Sequence, residues 1–561
     1  MSAGSASAPA HSVRSLSSRV SPDAVMALGA LVAFVVILYL GRNLTTFLYD
    51  EWSLVIHRRG WDLGTILVPH NEHLVAAPVV VFKLFFETIG AAPYWPYRVA
   101  IALLVVGLGV LVYVFAVPRI GKQAALVPGL LTLLVGAGGQ DIIWPFQLSL
   151  GLSVLGGVAL LLCIDRGTPK AEWWASGFIL LALASSSIGV AVLAAGVIDV
   201  LVHPDRRGRA LRILAVPVAV YGLWYAQYNV TDLNRANLLA APQYAIDAAG
   251  GAVGALLGLA PGYYPVLALA FLGLIAWAWL APERAPLRLV CVVTLPFAFW
   301  LLTAIGRADD MQPASSRYLL PGAIFVALVL CEALRGVRLP SRAVLLGAAL
   351  VAFASWTHVV ALRAEAFAQF DNLTGHVRAE LAALSLARES GPIDPAFIPD
   401  FNRAPDIVAG PYFEAVDDLG EPIPDPVRTL ATSFTGPRDS ADAVYFTSLG
   451  ARARPSARPA LGGPPPTVVE GASGSRRGSC LVLPRGGISV ILLPAGGLAL
   501  RTAGPGRAGL GLRRWGAAFT KTNGLAAGVW GVLRIGHDRD PKPVQVQIRG
   551  RGAVRACSAR S

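Results

Sequence analysis

From residue 24 to residue 361 the chain alternates apolar runs with short polar loops, and most runs approach the ~20 residues that a bilayer-crossing helix needs. The pattern predicts crossings near 24–42, 97–117, 124–138, 147–163, 172–186, 188–203, 210–227, 264–281, 288–305, 318–334 and 342–361, about eleven in all. Two further apolar stretches, Leu74–Ile89 and Tyr244–Leu259, break the parity of the loops. The first carries Lys83 and Glu87 four residues apart, which suits a helix lying along the interface. Reading either stretch as a full crossing flips part of the map, and both readings stand.

The pattern changes at Arg363. Residues 363–390 are rich in Ala, Leu and Glu and predict a helix, and residues 391–440 are rich in Pro and Asp and predict an ordered loop or linker. From about 441 short apolar runs follow, separated by Gly and Pro: Ala443–Phe446, Cys480–Leu483, Ile488–Leu493, Val529–Ile535 and Val544–Ile548. Val544–Ile548 alternates strictly, the signature of a half-buried strand. The expected domains are a cytoplasmic tail (1–23), a transmembrane domain (24–362), a helical segment with a linker (363–440) and an extracytoplasmic β-sandwich-like domain (441–561).

Composition agrees with the pattern. The chain is 55% hydrophobic and 14% charged, against about 45–50% and about 25% in soluble domains. Its Ala-, Gly- and Arg-rich character points to a bacterium of high genomic GC content. The run Ala24–Leu40 is too long for a signal-peptide core, so an uncleaved first span with a cytoplasmic N-terminus is expected. Basic loops at 119–122, 165–170, 204–212, 283–288 and 335–342 are assigned to the cytoplasm, and the less basic loops 138–145, 185–189, 227–243 and 306–317 to the outside. This places a multi-pass protein in the cell's inner (plasma) membrane with its C-terminal domain outside.

Three cysteines, Cys163, Cys291 and Cys331, fall in apolar runs and read as core. Cys480 and Cys557 bracket the C-terminal domain, and in an exported domain they read as a disulfide. Residues 451–561 carry 18 Lys and Arg against 3 acids, while the whole chain is only +13. That surplus suits anionic lipid headgroups or an anionic envelope polymer, or simply a soluble basic domain. Nucleic acid is not an expected partner.

Two stretches carry candidate chemistry. Tyr49-Asp50-Glu51-Trp52 follows the first span, where adjacent carboxylates next to hydrocarbon are costly to hold ionised. Downstream lie Pro69-His70-Asn71-Glu72-His73, an apolar stretch ending near Gly90, and Tyr97-Arg98 opening the next span. In this order the chain resembles the GT-C glycosyltransferases, most of all the branch of the protein O-mannosyltransferases and lipid A aminoarabinose transferases. The resemblance covers residues 24–165 and, more loosely, the region to 361.

The resemblance implies a polyprenyl-phosphate-linked sugar donor and transfer to an envelope glycan, lipid or protein acceptor on the extracytoplasmic face. It implies that Asp50 acts as base or positions the acceptor, with Glu51 as its neighbour and Asp141 as a further external acid. Where the family has a Lys-Pro-Pro or His-Pro-Pro-type stretch, this chain has His70-Asn71-Glu72-His73, which leaves His70, His73 or Lys83 as the cation for a donor phosphate. His70 and His73 would share a face on a helical turn. With Asp50 or Glu72 they offer ligands for a divalent metal, and they read equally as hydrogen-bonded loop histidines.

A second stretch, Gly306-Arg307-Ala308-Asp309-Asp310 through Ser315-Ser316-Arg317-Tyr318, joins two spans. Arg317 can pair bidentately with a phosphate or snorkel to headgroups, Arg307 can assist it, and Tyr318 can stack on or hydrogen-bond a sugar. The chain has no P-loop and no Rossmann glycine fingerprint, which disfavours an ATP-driven pump. The expected protein is thus an α-helical polytopic, GT-C-like membrane glycosyltransferase with a C-terminal β-rich domain. The alternative is a non-catalytic lipid or polymer transporter or an envelope scaffold.

Overall fold

The computed structural model describes residues 21–228, 234–280, 286–337, 340–504 and 506–560. The expected cytoplasmic tail, up to residue 20, and part of the basic loop at 283–288 lie outside them. Among the described residues nine helices are long and apolar enough to cross a bilayer: Pro22–Leu40, Trp95–Ile120, Lys122–Ile143, Pro145–Arg166, Arg206–Tyr228, Pro261–Leu280, Leu287–Arg307, Ser316–Ala333 and Arg342–Ser390. Hydrocarbon supplies no partner for backbone N–H and C=O groups, so such segments close their own hydrogen bonds as helices. The chain is a multi-pass α-helical membrane protein with a C-terminal β domain.

Two of the eleven expected crossings, 172–186 and 188–203, are short for a bilayer. They are the helices Pro169–Leu183 and Ile188–Val202, of 15 residues each, or ~22 Å at ~1.5 Å per residue against a ~30 Å hydrocarbon core. The turn Ser185–Ser187 separates them, within the loop expected at 185–189. The two stretches of ambiguous parity are also short: Ala76–Ile89 has 14 residues, and Ala241–Leu257 has 17, most of them buried against the neighbouring helices.

The last span does not stop at the membrane domain's expected end. Ser341–Glu365 passes through a π-helical turn, Ala366–Asp371, into Asn372–Ser390. No Gly or Pro occurs between Gly347 and Gly375 to break it. Beyond it the Pro/Asp-rich segment holds the helices Ala409–Leu419 and Pro426–Thr432. The run Ala443–Phe446, expected as a strand, belongs instead to the helix Thr435–Ser448. That helix buries Pro437, Ala441, Val444, Tyr445 and Ser448, a spacing of three and four rather than two, against Asn372–Ser390.

The C-terminal domain is two antiparallel sheets. One has six strands in the order Arg454–Ser456, Trp530–Leu533, Leu498–Thr502, Val554–Ser558, Cys480–Leu483 and Ser475–Arg477. The other has five, in the order Val468–Gly471, Ile488–Leu492, Gln545–Gly550, Ala508–Arg513 and Thr520–Leu525. Alternate residues such as Leu498, Leu500, Val546 and Ile548 fill the core, and a disulfide joins the register partners Cys480 and Cys557.

The helix ends at 119–122, 165–168, 199–212, 288 and 332–335 meet at one end of the bundle, where ten charged side chains alternate in sign. Arg335 pairs with Glu332 (3.4 Å), Glu332 with Arg119 (2.6 Å), Arg119 with Asp165 (2.8 Å) and Asp165 with Arg288 (2.9 Å). Arg288 pairs with Asp199 (3.3 Å), Asp199 with Arg209 (2.7 Å), Arg209 with Glu172 (3.6 Å), Glu172 with Arg212, and Arg212 with Asp205 (3.1 Å). Five of the ten, Arg119, Glu172, Asp199, Arg209 and Glu332, are buried, so their charges depend on neighbours in place of water. This chain ties the spans together at the end opposite Asp50.

Candidate functional site

Helix Pro22–Leu40 ends at Gly41, and the following loop is held by its aromatic residues. Phe47 packs edge-on against Trp52, Tyr94 and Tyr97, with centroids 5.6, 5.1 and 5.2 Å away. Glu51, fully buried, begins the short helix Glu51–His57. Its carboxylate accepts from the Leu48 amide (2.9 Å), and the Tyr94 hydroxyl donates to both of its oxygens (2.9 Å each). Burial pushes its pKa up to about 8, and those hydrogen bonds oppose the shift only in part. Near neutral pH Glu51 is therefore largely protonated and internal, and it fixes its neighbour Asp50 from behind.

The second predicted stretch is a tight hairpin turn rather than the helical turn considered from its spacing. The backbones of His70 and His73 exchange both hydrogen bonds (3.0 Å each), and Asn71 and Glu72 between them take φ of 45° and 67°. Left-handed φ at both central residues defines the hairpin geometry that asparagine tolerates and glutamate rarely adopts. Among the described residues the other non-glycine positive φ is at Tyr49 (45°), directly before Asp50. All three strained positions thus flank one carboxylate. Such clusters point towards functional sites because the surrounding fold must hold them in place.

Arg58 holds this turn. Its guanidinium donates to the carbonyls of Thr65 (2.9 Å), Val68 (2.8 Å) and Pro69 (3.0 Å). The result places His70 Nε2 3.8 Å from Asp50 Oδ2, with Asn71 Nδ2 3.5 Å from the same oxygen. The His70 ring packs edge-on against Phe146, 5.4 Å away.

These residues form one wall of a cavity of about 880 Å³. Asp50, His70, Asn71, Glu72 and His73 line it together with Arg307, Arg317 and Tyr318. The remaining wall is apolar and comes from the spans, including Val190, Leu193, Val218, Tyr221, Phe299 and Leu302. The cavity is therefore amphipathic: charged at the loop end and greasy along the helices. His73 is largely buried, and burial, reinforced by the Arg307 charge, lowers its pKa to about 4, so it is neutral at physiological pH.

Six of the predicted site residues therefore line one cavity: Asp50, His70, His73, Arg307, Arg317 and Tyr318. Three lie elsewhere. Glu51 is behind the wall, as described. Lys83 donates to the Gly60 carbonyl and to Thr65 Oγ1 (3.1 Å), so it braces the 60–65 loop. Asp141 is buried, and neither of its oxygens has a hydrogen-bond partner among the described residues. It follows a Gly138-Gly139 pair that brings this segment against helices Ser316–Ala333 and Ser341–Glu365; a Cβ on Gly138 would meet Leu320 and one on Gly139 would meet Glu365.

Sequence reasoning missed Ser186 and Ser187, which line the cavity from the turn that starts helix Ile188–Val202. It also missed Asp406, half-buried near Asp50 and His70, whose pKa is raised first by burial and then by the Asp50 charge. The two-histidine spacing carried no hint of a carboxylate more than 300 residues away. Among the described residues no group of three or more His, Cys, Asp or Glu is arranged to hold a metal ion.

No family model matches the chain, and no curated protein matches it. Among solved structures it is similar to the archaeal oligosaccharyltransferase AglB from Archaeoglobus fulgidus, in complex with an inhibitory peptide and a dolichol-phosphate. The identity is 14%, over 66% of this chain and 58% of that one, with a TM-score of 0.36. It is also similar to the arabinosyltransferase EmbB from Mycobacterium smegmatis, at 11% identity over 96% of this chain and 64% of that one, with a TM-score of 0.32. The chain spans less than two thirds of the length of either. Likeness of this grade assigns no counterpart to any residue of the site.

Proposed function

We propose that the chain is a membrane-embedded glycosyltransferase that moves a sugar from a polyprenyl-phosphate-linked donor to a hydroxyl-bearing envelope acceptor on the extracytoplasmic face. The observation that carries this reading is the amphipathic cavity that Asp50 lines together with Arg307 and Arg317. A polyprenyl-phosphate sugar has the same division: a hydrocarbon chain for the apolar wall, and a phosphate and sugar for the charged end.

In this reading Asp50 takes the proton of the acceptor hydroxyl as its oxygen attacks the anomeric carbon. The bond from that carbon to the phosphate oxygen breaks, and polyprenyl phosphate leaves with the electron pair. Arg307 and Arg317 stabilise the charge that develops on the departing phosphate. His70 and Asn71 orient the carboxylate, and Tyr318 lies at the donor end beside Arg317. Glu51, Arg58 and Lys83 are positioning residues.

A transporter would need the opposite end of the bundle to open. The ten-member ion chain there weighs against it, because opening strands buried charges without partners. The test is incubation of the lipid-reconstituted protein with labelled lipid-linked sugars and a crude envelope extract. Release of polyprenyl phosphate from at least one donor supports the reading. No release from any donor, together with no binding of polyprenyl phosphate itself, overturns it.

A further inference from the structure

The C-terminal domain carries a strongly basic surface, far in sequence from the cavity. Of the 18 basic side chains in residues 451–561, 16 are exposed; Arg513 and Arg514 are the two that are not. The three acids of the same stretch are already engaged within the domain. Glu470 pairs with Arg513, Asp538 with Arg514 at 2.6 Å, and Asp540 accepts from Trp515 Nε1 at 2.7 Å. None is left to neutralise the exposed cations.

The strand register shows where those cations gather. In the six-stranded sheet Leu498, Leu500, Leu533 and Val554 point into the main core, so their neighbours along each strand point outward. On that outward face Arg501 lies directly opposite Arg555, and Arg501 is also the register partner of Trp530. Arg454 and Arg477 fall on the same face by their pairings with Val532 and Cys480. No acid belongs to the outward set of the six strands.

Like charges directly opposite on paired strands are destabilising. The fold relieves this cost only in part. The guanidiniums of Arg501 and Arg555 each sit 5.9 Å from the Trp530 ring, at the edge of cation–π range. Arg501 Nε donates to the Gly528 carbonyl at 2.9 Å, while Arg555 has no ion pair or hydrogen bond among the described residues. The other end of this face is covered, because Leu461 packs on Cys480, Ala499 and Cys557. The Arg–Trp–Arg end is left open.

We propose that the outward sheet face at Arg501, Trp530 and Arg555 binds an anionic saccharide chain bearing carboxylate or phosphate groups. The two guanidiniums take successive anionic groups in forked hydrogen bonds, and the anion removes the repulsion that the empty face carries. A membrane surface is the poorer fit. Docking to lipid buries apolar side chains, and the exposed large apolar residues of this domain, Val469, Ile488 and Val529, are not in the outward set.

The test uses the full chain in neutral detergent. Binding of a labelled polygalacturonate oligomer and of a phosphate-linked glycan is compared with binding of a neutral maltooligosaccharide and of phosphatidylglycerol vesicles. Wild type is expected to bind at least one anionic glycan and not the neutral one. R501Q/R555Q is expected to weaken that binding at least ten-fold, and R501K/R555K to retain part of it. The unliganded R501Q/R555Q protein is expected to melt no lower than wild type, since it loses a repulsion. Equal binding of the neutral glycan, no binding of either anionic glycan, or unchanged affinity in R501Q/R555Q overturns the proposal. Loss of vesicle binding alone in that variant reassigns the face to the membrane.

Discussion

His70 Nε2 lies 3.8 Å from Asp50 Oδ2, although the two residues come from different loops. The approach depends on a left-handed pair at Asn71–Glu72, on Tyr49 at a left-handed φ before Asp50, and on Arg58 holding the carbonyls of Thr65, Val68 and Pro69. An acid that merely capped a solvated helix would not need three strained residues around it.

The strain gives a first prediction. Asn71→Gly should leave stability unchanged or slightly raised, because glycine takes φ near 45° freely. Asn71→Val should lower it by ~1–2 kcal/mol, the cost of left-handed backbone for an ordinary residue. Thermal melts of the purified variants check this, and equal melting temperatures for Gly and Val would show that the turn relaxes.

Glu51 gives a pH prediction. Its pKa rises from 4.5 to about 8 on folding, so the folded chain holds a proton there that the unfolded chain gives up. Its contribution to stability is full below about 4.5 and falls as pH rises to about 8. His73 runs the other way: its pKa falls from 6.5 to about 4, so its contribution is lost as pH drops through that window. Between about 6.5 and 8 Glu51 is the dominant one of the two. Glu51→Gln should therefore flatten the pH dependence of melting above 6.5 while activity survives. Loss of activity with an intact fold would instead make Glu51 an ionised participant.

The ion chain gives a third. Arg288→Met leaves Asp165 with Arg119 and Asp199 with Arg209, so the damage is shared. Removing one partner from a buried network costs ~3–5 kcal/mol, and the lower end is expected here. The reconstituted variant should melt lower yet keep the transfer activity of the folded fraction. Unchanged melting would mean that the network is solvated.

Much of this architecture was legible in the sequence because hydrocarbon imposes one pattern on every span. The spans at 22–40, 95–120 and 316–333, and the two ends at which polar and basic loops gather, follow from hydropathy and charge. The short pair Pro169–Leu183 and Ile188–Val202 was legible too, with its turn at Ser185–Ser187 inside the loop expected at 185–189. The strand expected at Ala443–Phe446 failed because a four-residue apolar run has no period of its own, and the flanking residues decide it. At the site, residue types named Asp50, His70 and Arg317, but the division between Asp50 facing the cavity and Glu51 facing the core rests on Tyr94 and the Leu48 amide. Asp406 was out of reach altogether, since only the tertiary fold brings it near Asp50.

Arg317 and Arg307 should act on the donor rather than on the proton. Arg317→Ala is expected to raise KM for the lipid-linked sugar and lower kcat, with the pH profile unmoved. A shifted profile with unchanged KM would place Arg317 near the acceptor base instead.

The most direct test compares wild type with Asp50→Asn in lipid, on a donor that wild type turns over, reading release of polyprenyl phosphate. The expected result is a fall in kcat of ~10²–10⁴-fold, the range for loss of a general base, with melting temperature and donor binding retained. An unchanged rate in Asp50→Asn would contradict the account and reduce the carboxylate to a residue of a solvated loop.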